Sequence, residues 1–167
     1  MNLTQGQKAI KNGETFEHKI IDQIEMLGYI EVQKSYFLNQ LYDQTTEKLY
    51  CKNFCYSGLS EGQILKKGLV LINKIKNSAI YISCQSQNVE GSAITKASGK
   101  IEKLSKMIKT NDLNIDALFN NVFGLFVIDG SVANKNRKYF ERSASERNFL
   151  SSVDIIVCDF SEITKYL

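Results

Sequence analysis

The sequence predicts an α/β protein, a single domain whose central mixed β-sheet is flanked by helices. Two observations carry this. Apolar runs of strand length alternate with amphipathic helical stretches. The last two apolar runs are joined through a helical stretch, and the crossover rule makes such a pair parallel. A chain of 167 residues suits one domain. It contains no proline, repeat or low-complexity tract that would mark a linker. Residues 1–12 are polar and read as a flexible N-terminus, leaving 13–167 for the domain.

The first helix comes from GETFEHKIIDQIEMLGY. There Phe16, Ile20, Ile24 and Leu27 recur at helical spacing, with Gly13 before the helix and Gly28 able to stop it. The segment Lys34–Gln44 holds Tyr36, Phe37, Leu38, Leu41 and Tyr42, and reads as an edge strand of the core ahead of a docking surface. KLYCKNFCY has strand character, and SGLSEGQ after it reads as a loop. GLVLINKI and SAIYISCQ are two apolar strands with a hairpin-like joint at KNS. ASGKIEKLSKMIKT is a helix with Ile101, Leu104 and Ile108 on one face. NVFGLFVIDG is a continuous apolar run of the kind buried on both faces, and NKNRKYFERSASERNFLSS is helical. VDIIVCDFSEITKYL gives a last strand and a short terminal helix.

Composition narrows the function classes. Hydrophobic residues make up 43 %, enough for an ordinary core. No apolar run reaches the roughly 18 residues of a membrane span, and the N-terminus lacks the apolar stretch of a signal peptide. The expectation is an intracellular protein, nuclear in a eukaryote, with no membrane contact. Cys51 and Cys55 would make half of a zinc site, but Cys84 and Cys158 are far apart and His18 is the only histidine. Reduced cysteines without metal are the expectation, and no cofactor or small-molecule substrate is evident. A net charge of +3 does not by itself argue for nucleic acid. The basic residues do concentrate between Lys96 and Lys109 and again between Lys135 and Arg147, as phosphate contacts or as solvated helix faces.

One stretch carries more. From Tyr81 to Lys96 the chain reads YISCQSQNVEGSAITK, with Ile82, Ser83, Cys84, Gln85, Ser86, Gln87, then Gly91-Ser92 and Lys96. With the preceding strand and loop, the downstream FGLFVIDG and the first helix, this resembles the PD-(D/E)XK nuclease superfamily, the restriction-endonuclease-like proteins, from about Gly13 to Asp159. The resemblance implies a restriction-endonuclease-like fold. In active relatives an acid on the first hairpin strand, an acid on the second and a lysine two residues on serve a divalent metal. The metal polarises phosphate and activates water. Here those positions fall at Gly68, Ser83 and Gln85, and no acid lies between Lys66 and Tyr81. Glu17 matches the glutamate the first helix often carries.

The resemblance therefore implies a catalytically inactive nuclease-like domain without a metal site. It would serve as a DNA-engaging or scaffolding subunit of a larger protein complex, in its sharpest form one containing a DNA methyltransferase. Gln87, Gly91, Ser92, Lys96, Lys100 and Lys103 are the expected nucleic-acid contacts, set against helix capping and solvated lysines. Two alternatives stand beside this reading. One is a metal-dependent endonuclease with relocated ligands drawn from Glu17, Glu61, Glu90 and Asp129. For the glutamates the plainer reading is a surface carboxylate; for Asp129, followed by Gly130, it is a turn. The other alternative is a scaffold that does not touch DNA.

Overall fold

The computed structural model describes residues 5–43, 45–52, 68–87, 93–109 and 118–167. Six strands form one sheet in sequence order: β1 (Ile30–Glu31), β2 (Lys48–Lys52), β3 (Leu69–Asn73), β4 (Ser78–Ser86), β5 (Asn121–Asp129) and β6 (Ile155–Asp159). The β1–β2 pair is parallel, β2–β3–β4 is antiparallel, and β4–β5–β6 is parallel. The sheet is thus mixed, and helices cover both faces, as the sequence predicts.

Alternation along the strands builds two cores. On one face Tyr81, Phe126, Ile128 and Val157 meet Phe37 and Leu41 of α2 (Lys34–Tyr42), Ile101 and Leu104 of α3 (Ala93–Lys109), and Phe140 of α5 (Arg137–Ser151). Between α3 and α5 the chain makes the short helix α4 (Ser131–Lys135) after β5. On the other face Ile80, Ile82, Leu125 and Val127 meet Phe16, Ile20 and Ile24 of α1 (Gln5–Met26) and Ile163 of a terminal 3-10 helix (Phe160–Lys165). Each such side chain, fully buried, contributes about 1.5–3 kcal/mol of transfer free energy. The crossovers β4–α3–β5 and β5–α5–β6 lie on the same face. Two right-handed crossovers that advance in the same direction across a sheet must do so.

α1 starts at Gln5 and runs through Gly13, rather than beginning after it. A glycine inside a helix costs about 1 kcal/mol against alanine. Extending a helix already nucleated and packed gains a backbone hydrogen bond per residue, which tolerates that cost. The stop is where the sequence puts it. Gly28 adopts φ 85°, its N–H donates to Glu25 O (2.9 Å), and Tyr29 N–H donates to Ile24 O (3.2 Å). This pair of bonds satisfies two carbonyls the helix end would leave open.

The segment expected as an edge strand is instead the helix α2. Phe37 and Leu41, four residues apart, are buried in the core, while Tyr36 and Tyr42 are exposed. Lys74, in the β3–β4 turn, donates to Gln40 O and Asp43 O at the end of α2, which holds that helix on the hairpin. Residues 53–63, with Cys55 and the SGLSEGQ loop, lie outside the described residues.

Gly124, in β5, lies beneath α3. A Cβ there would sit 2.9 Å from Ile108 Cδ1 and 3.1 Å from Leu104 Cγ. Gly124→Val is expected to lower unfolding free energy by about 1–3 kcal/mol, the usual range for overpacking. Gly124→Ala should cost less, because the Ile108 δ-methyl can swing aside. Urea denaturation followed by circular dichroism measures both.

Candidate functional site

β4 determines where the candidate residues fall. Side chains alternate across a strand, and Ala79 and Tyr81 belong to the α3 face while Ile80 and Ile82 belong to the α1 face. Ser83 and Gln85 therefore point toward α3. Ser83 is buried and Gln85 is half-buried. Leu69 pairs with Ile82, so Gly68, buried and one residue upstream, continues the register toward Ser83. The three positions named from the sequence thus lie near one another in the hairpin.

Glu17 is carried by α1, which packs against the opposite face of the sheet. Asp129 ends β5 beside Ser86, and the chain turns immediately after it at Gly130, φ 96°. That is the turn expected of Asp-Gly. Glu61, Glu90, Gly91 and Ser92 lie outside the described residues.

A lysine further along the chain closes this strand end. Lys100, two helical turns into α3, donates from Nζ to Cys84 O (2.7 Å) and to Gln85 Oε1 (2.8 Å). The ammonium sits over the end of β4 and engages the glutamine side chain. Hydrogen bonds to a charged donor are stronger than neutral ones, so Gln85 is fixed in orientation.

Lys96, Lys100 and Lys103 recur at i, i+4 and i+7 and form one stripe along α3. Lys96 is exposed and Lys103 half-exposed. The C-terminal part of the helix is balanced by its own acid. Glu102 accepts from Lys106 (3.0 Å) and Arg147 (3.4 Å), and these cations, Lys106 first, hold its carboxyl below the usual range.

Of the basic residues of α5, Arg137, Arg142 and Arg147 are similarly paired, while Lys138 is exposed. Arg137 bridges Glu141 (2.8 Å) and Glu162 (2.9 Å), and Arg142 meets Glu146 (3.4 Å). Each of the two basic clusters seen in the sequence thus holds both paired cations and an exposed lysine.

Gln87 departs from the lysines. It is buried, its N–H donates to Asp129 O (2.9 Å), and its carbonyl accepts from Val132 and Ala133 N–H. It ties the end of β4 to β5 and to the start of α4.

Cys51 and Cys158 are buried in the two cores, and burial, with Glu162 nearby, pushes the Cys158 thiol up to about 12. Among the described residues no group of three or more His, Cys, Asp or Glu side chains is placed to hold a metal ion, and no helix is long and apolar enough to cross a membrane. No protein-family model, no curated protein and no solved structure matches the chain.

Sequence reasoning names Lys100 and Gln85 separately and does not connect them. The strand-then-helix order holds the signal, since a lysine on the first turns of the returning helix can reach back to the strand end. Lys100→Met keeps the apolar stem and removes the ammonium. The expected loss is about 1–2 kcal/mol, below a fully buried charged hydrogen bond because the site is partly open to water. An unchanged urea midpoint would show that water replaces the ammonium at Gln85 without cost.

Proposed function

We propose that this chain is a catalytically inactive, PD-(D/E)XK-like domain that engages DNA as a subunit of a larger DNA-processing complex, in its sharpest form one containing a DNA methyltransferase. The observation that carries the reading is the end of β4. By the resemblance, Ser83 and Gln85 fall where active relatives carry an acid and a lysine, and the Gln85 side chain is taken up by Lys100. A serine and a glutamine bring hydrogen bonds but no negative charge for a divalent cation. The lysine stripe of α3 continues outward from the same point, so a surface suited to phosphate remains where cleavage chemistry is missing.

The ion pairs refine which cations would meet phosphate. Lys106, Arg137, Arg142 and Arg147 already have carboxylate partners. Each would have to give up an ion pair, worth little at the surface but not zero, before turning to DNA. Lys96 and Lys103 are the contacts this reading places first.

Binding of the purified chain to duplex DNA over a salt series tests the proposal. The expected result is salt-sensitive binding without cleavage in Mg²⁺ or Mn²⁺. Lys96→Glu with Lys103→Glu should weaken binding at least about tenfold at low salt. The log–log salt slope should flatten by about 0.9 for each phosphate no longer neutralised. Arg142→Gln should leave both unchanged. Metal-dependent cleavage would overturn the inactive reading in favour of relocated ligands. Absence of binding even at low salt would leave only the scaffolding role.

A further inference from the structure

Among the described residues β6 forms one edge of the sheet, and its outer side is where a second strand would add. Gly124 N–H donates to Asp154 O (2.7 Å), and Gly124 is the register partner of Ile155. In a parallel ladder this turns the backbone of Ile156 and Cys158 toward β5 and the backbone of Ile155, Val157 and Asp159 outward. Unpaired groups in such a row form a template for another chain, and the strand reads Ile-Ile-Val-Cys-Asp, without proline or glycine.

Side chains occupy that template. The Asn148 side chain, from α5, accepts from Ile155 N–H through Oδ1 (2.8 Å) and donates to Ile155 O through Nδ2 (3.1 Å). One amide thus imitates a residue of a neighbouring strand. Arg137, at the other end of α5, donates to Val157 O (3.5 Å) while bridging to Glu162 (2.9 Å). Glu162 in turn accepts from Asp159 N–H (3.1 Å). The three side chains run along the strand in step with its outward residues.

We infer that Asn148, Arg137 and Glu162 form a latch that closes the β6 edge to strand addition, and that without it two copies of this chain pair through β6. Burial of the two cores does not require these three contacts. Their common property is that each satisfies backbone that a second strand would otherwise use. The inference is independent of DNA binding. It also implies that a partner joins this domain on a face other than the β6 edge.

Hydrogen exchange on the unmodified chain tests the latch directly. Ile155 and Asp159 amides should exchange slowly although they lie on a sheet edge, and Asn148→Ala should speed Ile155 by at least about tenfold. Exchange of the Ile155 amide at the rate of an unprotected group in the unmodified chain would overturn the proposal without any variant having to fold. Asn148→Ala combined with Arg137→Gln should then associate in sedimentation velocity at concentrations where the unmodified chain shows less association. The Val157 amide should gain protection as concentration rises. A folded double variant that associates no more than the unmodified chain, or that associates without protecting Val157, would equally overturn it.

Discussion

β5 gives Phe126 and Ile128 to one core and Leu125 and Val127 to the other, so it is stable only where helices cover the sheet above and below. Parallel strands require this more generally, because their crossovers bring helices with them. Here the two crossovers lie on one face, which puts α3 and α5 side by side there. The opposite face then needs cover from elsewhere. α1 supplies it from the N-terminal side, with the terminal 3-10 helix beside it. The antiparallel hairpin β3–β4 joins this frame through β4, and the candidate strand end is held wherever that packing puts it.

That dependence explains how Lys100 comes to meet Gln85. α3 must return across β4 to reach β5, and Ala97, Ile101 and Leu104 fix its rotation by burying against the sheet. With that face turned inward, Lys100 falls at the margin nearest the strand and reaches the Cys84 carbonyl, while Lys96 and Lys103 lie further from the sheet. The same helix therefore performs two tasks with one set of lysines. One closes the strand end and the others face outward. The separation comes from helical period and burial, without any change of residue type.

Much of the architecture is legible in the sequence because it rests on period and length. The apolar runs of β3, β4, β5 and β6, the parallel last pair and the glycine stop of α1 all come from local pattern. α2 does not read as a helix. Its apolar spacing, Phe37 to Leu41, spans one turn only, and Tyr36 and Tyr42 beside it blur the period. β1 is two residues long, too short for any periodicity to show. The site is legible only in part. Alternation places Ser83 and Gln85 on one face, but which face depends on which helix lands there. The Glu102–Lys106 pair is an i,i+4 step within α3, but the Glu102–Arg147 pair is a contact between α3 and α5, and no reading of either helix alone contains it.

The two edges of the sheet show a related limit. β1 is blunt because it is short, a feature of strand length that exposes little unpaired backbone. β6 is as apolar as the strands beside it and would read from sequence as an interior strand. Among the described residues it stands at the edge because β5 is its only strand partner, and a capping turn leads the chain off the sheet after Asp159. Asp159 accepts from Ser161 N–H (2.9 Å) and Glu162 returns to Asp159 N–H, a reciprocal cap that starts the terminal helix. Glu162 thus has two roles. It caps the helix and it anchors Arg137. Its carboxyl is held below the usual range first by the Asp159 amide and then by the Arg137 guanidinium. A carboxylate with a lowered folded pKa contributes stability above its unfolded pKa and loses it as pH falls through the folded value. The cap and the β6 edge therefore depend on the same charge, so both contacts should weaken together in acid.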